Sequence, residues 1–444
     1  MKLIRGISGI RGIVGDTLTE PIISKYVQAF SMIQGKGEIL IARDSRIHGS
    51  SLINASCHAL KKCGRQVLNY KIIPTPTAQF IVEKNNLAGG IVITASHNPS
   101  EWNGLKFIDS DGCFLRNEKN QNLFDTADDL LLNEKKSGNI IDIDSGYLSH
   151  IEHTRNLSVI DPESIEKQNY KVVVDAVNGA ASHALPAMLE ALGCKVYKLY
   201  CKADGKFPRG AEPLSHNLTE LGKTVVEKQA SIGFATDPDG DRLAIVNEKG
   251  QPIGEEYTLV ICLDGFLKST KSTIPIVTNL STTMAIDRIA EKYGTSVIRT
   301  AVGEINVVNK MKKINAQFGG EGNGGVILAE SHYGRDSLVG SALFLNRMAQ
   351  ETKTVSEIFK CMPPYFMIKN KIELGSINPN SAINRIKSIF LDANKDTTDG
   401  LKLVWDNSWI HIRASNTEPI FRIFAEAPTE QDAKKLINKV KSSL

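Results

Sequence analysis

The sequence predicts an α/β protein with mixed sheets and a smaller α+β domain at its carboxyl end. Apolar runs with strand character alternate with segments of helical period through most of the 444 residues, a pattern typical of α/β domains. After residues 362–364 the alternation gives way to strands with a few helices. The shares of hydrophobic residues, 41%, and charged residues, 23%, are those of folded globular proteins, so composition indicates neither disorder nor a fibrous structure.

The first complete βαβ pattern begins with an apolar strand at residues 171–175. A turn at 178–179 leads into a helical segment at 182–192, and a second strand follows at 195–199. Because a crossover through a helix joins parallel strands, these two strands are expected to lie parallel in one sheet.

The same pattern recurs with strands at 274–278 and 296–299 around a helical segment at 284–292. Repeated architecture is therefore expected, although the sequence itself contains no strict repeat. Further elements are expected as a helix at 255–267, a helix at 381–390, a hairpin turn at 406–408 and a closing helix from 430 to about 443.

Polar stretches divide the chain. The polar residues 156–169, the Gly-Gln-Pro sequence at 250–252 and the Met-Pro-Pro sequence at 362–364 mark three boundaries. We therefore expect domains at residues 1–155, 156–252, 253–364 and 365–444.

The net charge of +4 is small, and Lys and Arg are spread through the sequence, which argues against a nucleic-acid partner and suits a small anionic ligand. Residues 1–12 lack the apolar core of a signal peptide, and no apolar run approaches the ~20 residues of a membrane span. We expect a cytoplasmic protein without a membrane partner.

The seven cysteines form no C-x-x-C pair, which argues against a disulfide framework and a zinc site. We expect them to be small, buried apolar groups.

A first candidate site is the sequence TASHNP at residues 94–99, directly after an apolar run. Ser96 is its expected nucleophile. Pro99 lacks a backbone donor and restricts Asn98 before it, so the chain cannot continue as strand or helix. The stretch predicts a displayed hydroxyl; taken alone, an ordinary strand-ending turn is the alternative.

A second candidate site is the sequence DPDGDR at residues 237–242, also after an apolar run. Asp237, Asp239 and Asp241 present carboxylates at alternate positions, and Gly240 gives the backbone room to bend so that they can converge. Hard oxygen ligands of this kind suit Mg²⁺. Three clustered like charges are costly unless a cation offsets them, which argues against the alternative of a solvated acidic turn.

A third candidate site follows the apolar run 409–412. Arg413, Ser415, Asn416 and Thr417 offer a charged fork, two hydroxyls and an amide in one loop. These are groups that hold phosphate. The alternative is an Asn-rich turn between two strands.

Together these motifs resemble those of the α-D-phosphohexomutase superfamily, whose members move a phosphoryl group between the 1 and 6 positions of a hexose. The resemblance runs from GISGIRG at residues 6–12 through GGEGNGG at 319–325 to the loop that begins at Arg413. It implies four domains around one central cleft, the first three similar in topology. It also implies an isomerase that works through phosphoserine 96, with one Mg²⁺ per chain and a hexose 1,6-bisphosphate as activator.

The resemblance also implies roles for single residues. Lys106 matches a general acid/base, although a solvated lysine is its alternative; Arg11 and His97 are second-tier site residues. Arg242 is suited to hold the serine phosphate bidentately, and Ser96 joins the three aspartates as a metal ligand through its phosphoryl oxygen. The candidate substrate-binding residues are Glu321, Asn323, Arg335, Arg413, Ser415, Asn416, Thr417 and Arg422.

The sugar loop departs from the common family pattern Gly-Glu-x-Ser-x-His, because Asn323 replaces the serine and Gly325 replaces the histidine. That puts the second acid/base in doubt, and His332 and Arg335 are the candidates to replace it. By resemblance Glu321 accepts from the C3 and C4 hydroxyls, which cannot separate glucose, glucosamine and mannose. We expect phosphoglucosamine mutase activity, with phosphomannomutase or phosphoglucomutase activity as the alternative.

Two other functional classes compete with this interpretation. A phosphatase with an aspartyl nucleophile needs threonine or valine shortly after its second aspartate, whereas Gly240 and Asp241 follow Asp239 here; it also leaves Ser96 unexplained. A non-catalytic sugar-phosphate sensor is favoured by loss of the serine or of an aspartate, and none is lost. The expected partners are hexose phosphates, and the expected state is monomer or homodimer.

Overall fold

The computed structural model describes residues 3–130, 137–373, 378–414 and 420–443, and the chain forms two compact units. The first unit comprises Met1–Thr270 and Asn323–Lys360, and the second comprises Lys271–Gly322 and Cys361–Leu444. The chain thus leaves the first unit once and returns to it before the second unit is complete.

The first unit begins with a seven-stranded mixed sheet. Its strands are β1 (Ile4–Gly6), β2 (Gly9–Ile13), β3 (Ile39–Arg43), β4 (Val67–Ile72), β5 (Gly89–Ile93), β6 (Trp102–Ile108) and β7 (Ile140–Asp142). In space they follow the order β1-β2-β6-β5-β3-β4-β7. Strands β5, β3, β4 and β7 run parallel, whereas β6, β2 and β1 add antiparallel pairings.

Four helices cover this sheet, namely α1 (Glu20–Ile33), α2 (Gly49–Lys62), α3 (Thr75–Lys84) and α4 (Asn117–Asp129). Helices α1, α2 and α4 share one apolar core that includes Phe30 and Phe107. Helix α3 contributes Phe80 to a second core against the sheet. A fully buried phenylalanine such as Phe30 contributes about 1.5–3 kcal/mol, so the sheet is held from both faces.

A four-stranded sheet follows in the same unit, formed by β8 (Lys171–Asp175), β9 (Lys195–Leu199), β10 (Ile232–Thr236) and β11 (Leu243–Asn247). Its order is β11-β10-β8-β9, with β9, β8 and β10 parallel and β11 antiparallel. The helices of this segment are α5 (Leu148–Arg155), α6 (Pro162–Glu166), α7 (Ala181–Ala191), α8 (Thr219–Glu227) and α9 (Glu255–Thr270), with a 3₁₀ turn at Ser215–Asn217. The first predicted βαβ unit is confirmed.

The second unit opens with β12 (Ile276–Asn279), α10 (Ala285–Lys292), β13 (Val297–Thr300), α11 (Glu304–Ile314) and β14 (Phe318–Glu321). Strand β12 pairs in parallel with both β13 and β14, which confirms the second predicted βαβ unit. The chain then returns to the first unit as β15 (Gly325–Leu328), α12 (Ser337–Ala349) and α13 (Val355–Lys360).

The carboxyl-terminal part of the second unit is α+β, as predicted. It contains β16 (Phe366–Glu373), α14 (Pro379–Ile389), β17 (Asn394–Asp396), β18 (Leu401–Trp405), β19 (Ser408–Ala414), β20 (Ile420–Ala427) and α15 (Glu430–Lys441). The five strands form an antiparallel sheet in the order β16-β20-β19-β18-β17. The predicted hairpin turn joins β18 to β19, because Trp405 pairs with Ser408.

One connection recurs in all three parallel arrangements. In each, the first strand pairs on one side with the next parallel strand along the chain and on its other side with the one after that: β3 with β4 and β5, β8 with β9 and β10, β12 with β13 and β14. The second and third parallel strands therefore lie on opposite sides of the first strand, and the order of strands changes direction there. Such switch points are where open α/β sheets bind ligands, at the carboxyl ends of the strands.

Within the described ranges, no helix is both long and apolar enough to span a bilayer. Four of the seven cysteines are buried, as predicted: Cys57, Cys113, Cys194 and Cys262. The prediction is wrong for Cys361, which is exposed because it lies just beyond the end of α13. The three predicted domain boundaries stay a prediction.

Candidate active site

Ser96 follows β5 at the switch point of the first sheet. Its side chain is buried, with 2% of its surface exposed. The backbone is left-handed at this residue, with φ of 50°, a conformation that costs a residue other than glycine about 1–3 kcal/mol and persists only where neighbouring groups fix it. One such group is the Thr94 hydroxyl, which accepts the Ser96 N–H at 2.9 Å. The Ser96 Oγ lies 3.3 Å from Asp237 Oδ2.

The three predicted metal ligands lie in the loop between β10 and β11. Asp237, Asp239 and Asp241 are all buried, and each offers an oxygen within 4.8 Å of the others. Gly240 makes the turn possible, because its φ is +72° and a Cβ there would lie 3.2 Å from side-chain atoms of Ala181 and Pro74. The structure therefore brings these carboxylates together as the spacing predicts.

The four carboxylate oxygens of Asp239 and Asp241 fall into two groups. One oxygen of Asp239, Oδ2, accepts from Lys106, and one of Asp241, Oδ2, accepts from Arg335. The other two, Asp239 Oδ1 and Asp241 Oδ1, are buried without a hydrogen-bond partner in the described structure. Buried carboxylate oxygens without donors are the ligands that a hard divalent cation needs, so this donor set fits Mg²⁺.

Electrostatics support the same conclusion. Burial raises the pKa of Asp237 well above its usual value, and the neighbouring carboxylates of Asp241 and Asp239 raise it further. For Asp239, burial works in the same direction, but the Lys106 ammonium outweighs it and lowers the pKa. The cluster thus carries an excess of negative charge at Asp237 that a proton or a metal cation must offset.

Lys106 lies on β6, opposite Gly9 of β2 and Val92 of β5, and is 3% exposed. Its Nζ donates to Asp239 Oδ2 at 2.5 Å and lies 3.4 Å from Asp241 Oδ2. Burial works to lower the pKa of Lys106, but the two carboxylates outweigh burial and raise it. The alternative of a solvated surface lysine is therefore wrong, and Lys106 is a buried cation beside the aspartate cluster.

Three further predicted residues adjoin the serine. Arg242 donates through Nη1 to Glu212 Oε1 at 3.0 Å, and its Nη2 lies 3.1 Å from His97 Nδ1. Arg11 donates to Asn98 Oδ1 at 2.9 Å. Burial, followed by the charges of Arg242 and Arg11, lowers the pKa of His97 to about 2. His97 is thus a neutral ring whose Nδ1 accepts from Arg242, 3.4 Å from the Ser96 Oγ.

The glycine that replaces the family's histidine at position 325 of the sugar loop has a steric explanation. A Cβ on Gly325 would lie 2.3 Å from Cδ of Arg335, so glycine at this position leaves the path along which Arg335 reaches Asp241 at 2.6 Å. His332 lies elsewhere: its Nε2 contacts Asp336 Oδ2 at 3.0 Å in a buried cluster with His150. Of the two candidate replacements, only Arg335 contacts the aspartate cluster, and it does so as a cation.

Asn323 directs its side chain back to its own loop, where Oδ1 accepts from the Gly325 N–H at 3.2 Å. Gly324 has φ of +82°, and a Cβ there would lie 2.2 Å from the Leu243 carbonyl. The loop is therefore fixed close to the strand that follows the aspartates.

In the second unit, Glu321 ends β14 and is buried. Its Oε1 accepts from Asn279 Nδ2 at 2.7 Å and from the Gly303 N–H at 3.1 Å. Arg413 and Arg422 are direct partners across β19 and β20; Arg413 pairs with Asp399 at 2.9 Å, and the Arg422 side chain is exposed. The predicted loop residues Ser415, Asn416 and Thr417 lie outside the described residues.

Three residues at the site were not predicted from the sequence. Thr75, the first residue of α3, donates through Oγ1 to Asp239 Oδ2 at 3.0 Å; Glu212 holds Arg242; and Arg46 binds the serine loop. Arg46 and Thr75 follow β3 and β4 at the same sheet edge as Ser96, and this position after a strand was the signal available for both.

Four family models match nearly the whole chain. They are the phosphoglucomutase/phosphomannomutase α/β/α domains I, II and III, at residues 2–132, 145–250 and 254–365, and the C-terminal domain at residues 380–442.

Curated relatives agree in length. A "phosphoglucomutase/phosphomannomutase" of Thermococcus kodakarensis is 34% identical, covering 98% of this chain and 97% of that protein. A "phosphoglucosamine/phosphogalactosamine mutase" of Sulfurisphaera tokodaii is 32% identical, covering 99% of both. A "probable phosphoglucosamine mutase" of Methanopyrus kandleri is 31% identical, covering 97% and 95%.

Among solved structures, a phosphoglucomutase/phosphomannomutase family protein from Burkholderia thailandensis aligns with a TM-score of 0.87 at 26% identity, covering 99% of this chain and 96% of that one.

Proposed function

Since the chain belongs to the phosphoglucomutase/phosphomannomutase family, we propose that it is a phosphoglucosamine mutase that interconverts glucosamine 6-phosphate and glucosamine 1-phosphate. As a phosphohexomutase it is an isomerase. The observation that carries the proposal is the approach of the Ser96 hydroxyl to Asp237, at 3.3 Å, beside the partnerless oxygens of Asp239 and Asp241.

The donor set assigns the metal ligands. Asp237, Asp239 and Asp241 would hold Mg²⁺ together with a phosphoryl oxygen on Ser96. When bound, the cation supplies charge neutralisation for the transferring phosphoryl group. Arg242, with its guanidinium beside both His97 and the aspartates, would hold the remaining phosphoryl oxygens.

Ser96 carries the phosphoryl group between two half-reactions. A sugar hydroxyl gives up its proton and attacks the phosphorus, the bond from phosphorus to Ser96 Oγ breaks, and the serine oxygen takes up a proton. The bisphosphate then turns around. The Ser96 hydroxyl gives up its proton and attacks the other phosphorus, whose bond to the sugar oxygen breaks as that oxygen takes up a proton. Lys106 begins as a cation because its two carboxylate neighbours raise its pKa, so we assign it as the acid for the serine oxygen.

The non-reacting phosphate is assigned to the loop after β19. Arg413 and Arg422 face each other across two strands, and like charges in direct opposition are destabilising. Asp399 offsets one of the two charges, so a phosphate would offset the remaining positive charge. Binding a phosphate here converts remote binding energy into orientation at the reacting end. Ser415, Asn416 and Thr417 are proposed to add to this phosphate contact.

The sugar is proposed from the resemblance and from the relatives' names. Glu321 is assigned to the C3 and C4 hydroxyls, which glucose, glucosamine and mannose share. Discrimination therefore depends on the group that meets the C2 substituent, and we assign Asn323, whose amide can donate to a hydroxyl or accept from an amine. Several relatives at 30–33% identity are named probable phosphoglucosamine mutase, which supports this assignment.

The test is a comparison of kcat/KM for the 1-phosphates of glucosamine, glucose and mannose, primed with a hexose 1,6-bisphosphate and Mg²⁺. We expect glucosamine phosphate to be best, with measurable activity on the other two. A mannose preference over glucosamine above about tenfold, or ~1.4 kcal/mol of transition-state binding, would instead indicate a phosphomannomutase.

The same assay tests the competing classes. Net release of inorganic phosphate without isomerisation would indicate the phosphatase, and binding of sugar phosphate without turnover would indicate the sensor. A monomeric or homodimeric state and a cytoplasmic location stay predictions.

A further inference from the structure

Arg46 is a buried arginine whose guanidinium donates hydrogen bonds to the backbone of one loop. Its side chain is fully covered. It donates to the backbone carbonyls of Ser96 at 2.6 Å, Asn98 at 2.8 Å, Pro99 at 2.5 Å and Trp102 at 3.0 Å. The four carbonyls lie in the segment 94–102, which joins β5 to β6 and includes the first residue of β6; we call it the nucleophile loop. A single side chain therefore fixes the path of the loop after the nucleophile.

A second set of contacts fixes the loop before the nucleophile. The Thr94 hydroxyl accepts the Ser96 N–H at 2.9 Å and donates to Asp44 Oδ2 at 2.7 Å. Asp44 in turn pairs with Arg46: Oδ2 accepts from Nε and Oδ1 accepts from the Arg46 N–H, both at 3.0 Å. The contacts form a closed circuit from the Ser96 N–H through Thr94, Asp44 and Arg46 to the Ser96 carbonyl.

The circuit has a conformational consequence. Both backbone polar groups of Ser96 are held, and the residue keeps its left-handed φ of 50°. The direction of the side chain depends on that backbone angle, so the same contacts turn the hydroxyl toward Asp237. A strained residue of this kind returns to an ordinary conformation when the contacts around it are loosened.

The segment that packs against Arg46 also contacts β10, the strand that precedes the metal ligands. The Arg46 guanidinium lies 5.0 Å from the ring centre of Phe207. A Cβ on Gly205 would lie 2.4 Å from the Ser45 carbonyl, so the segment 205–209 packs directly on the turn that carries Arg46. From the same segment, Arg209 donates to the Thr236 carbonyl at 2.6 Å, one residue before Asp237.

We propose that Arg46 is a positioning residue for phosphoryl transfer, which holds the Ser96 backbone so that its hydroxyl faces the aspartate cluster, and that Phe207 keeps Arg46 in place. This inference rests on the proposed function. It goes beyond that function because the Arg46 guanidinium binds backbone carbonyls of the nucleophile loop and acts on the reaction through the backbone of Ser96.

Arg65 offers a matched control in the same domain. It also donates to several backbone carbonyls, those of Ser31, Gln34, Gly35 and Gly37, but these lie at the end of α1, away from the nucleophile loop. Substitution by lysine keeps the charge in both cases and removes the planar fork of donors. Arg65→Lys therefore reports the effect of losing such contacts away from the nucleophile.

We expect Arg46→Lys to lower kcat by about 10²-fold, the scale of a misplaced reacting group, with KM for hexose phosphate within about threefold of wild type. The rate at which the bisphosphate phosphorylates Ser96, followed by intact-protein mass, should fall by the same factor. Arg65→Lys should lower the thermal midpoint comparably while kcat stays within about twofold. Phe207→Leu should lower kcat in the same direction as Arg46→Lys, by a smaller factor.

Thr94 keeps the inference testable if Arg46→Lys does not fold. Thr94→Val removes the hydroxyl that links Ser96 to Asp44 at nearly constant volume, and should lower kcat without raising KM; Thr94→Ser restores the hydroxyl and should recover most of the rate. Equal kcat losses in Arg46→Lys and Arg65→Lys, or a Thr94→Val enzyme as fast as wild type, would overturn the inference while the wild-type activity stands. A wild-type protein without mutase turnover would overturn the proposed function and this inference together.

Discussion

The Ser96 hydroxyl and the carboxylate of Asp237 meet at 3.3 Å although 141 positions separate them in the chain. Ser96 follows β5 and Asp237 follows β10. In each sheet this strand lies beside the first parallel strand, on the side opposite to the second one. The contact therefore depends on two separate sheets presenting their carboxyl edges to the same place. The nucleophile therefore lies beside a carboxylate whose negative charge needs a proton or a metal cation, because Asp237 is buried and two other aspartates lie close to it.

Ser96→Ala should reduce turnover by roughly 10³-fold or more, because the variant lacks the hydroxyl that lies beside Asp237 and is the proposed nucleophile. Incubation with hexose 1,6-bisphosphate should add one phosphoryl group to the wild type and none to the variant, as read by intact-protein mass. Equal labelling of both proteins would assign the nucleophile elsewhere.

Mg²⁺ should stabilise the wild type against heat, since it binds the folded aspartate cluster and relieves its repulsion. At about 100 times the dissociation constant the stabilisation is ~2.7 kcal/mol. Asp239→Asn should lose most of this shift and slow the chemistry, whereas the exposed Asp129→Asn serves as the control that keeps both. Chelator should stop turnover while the circular dichroism spectrum stays native. Full activity in excess chelator would remove the metal from the mechanism.

Lys106→Met should lower kcat by roughly 10²–10⁴-fold with little change in KM, because the variant keeps the length of the side chain and loses the proton and charge. Arg413→Ala should instead raise KM, since it weakens the grip on the non-reacting phosphate. Steady-state kinetics on both variants separates these outcomes. A Lys106→Met enzyme with a raised KM and an unchanged kcat would reduce the role of Lys106 to holding phosphate.

Gly325→Ala should lower kcat by about tenfold, because its methyl group would displace Arg335 from Asp241 and remove the 2.6 Å ion pair from that carboxylate. Gly35→Ala is the control, since a Cβ at Gly35 meets no atom within 4 Å. Magnesium titrations of both variants measure the effect on the aspartate cluster. If Gly325→Ala retains the kcat and magnesium affinity of wild type, the steric account of the altered sugar loop is wrong.

His411 should make the second unit sensitive to acid. Burial lowers the pKa of His411 to about 4, and the neutral ring is held between Ser281 Oγ at 2.9 Å and the Asp399 carbonyl at 2.7 Å. Between pH 6.5 and 4 the unfolded chain binds a proton at this residue that the folded chain does not. The free energy of unfolding should therefore fall as pH falls through this window, by up to ~1.4 kcal/mol per pH unit.

Urea unfolding between pH 7 and pH 4 measures this slope. His411→Gln should flatten it, whereas the exposed His216→Gln should leave it as in wild type. An unchanged slope in His411→Gln would show that the acid sensitivity has another source.

The sequence predicts the site where its chemistry is local. Ser96 and the three aspartates were found because each set follows an apolar run and concentrates reactive groups in a few consecutive residues. Glu212 follows no such run, and Arg46, although it comes shortly after β3, acts on groups far away in the sequence. Arg46 binds backbone carbonyls that lie 50 or more positions away in the sequence. Every residue carries such a carbonyl, so no pattern of residue types marks these partners.

A departure from a family pattern carries less structural information than the pattern itself. The sequence shows that histidine is absent at Gly325 but not what occupies the space. Only the three-dimensional path of Arg335 explains the exchange, and it also separates Arg335 from His332 as the residue that contacts the aspartates. The sequence pattern could name both candidates because both lie shortly after the loop, and it could not choose between them.

The interrupted course of the first unit has a consequence for the newly made protein. Asp241 and Arg335 are 94 positions apart, and the chain between them includes part of the second unit. At about 5–20 residues per second of synthesis, roughly 5–20 s pass on the ribosome before the arginine exists. During that interval Lys106 is the nearest cation for Asp241, at 3.4 Å. A nascent chain can therefore fold its first two sheets early, yet its aspartate cluster lacks the Arg335 cation until translation has passed through the first segment of the second unit, Lys271–Gly322, and reached the arginine.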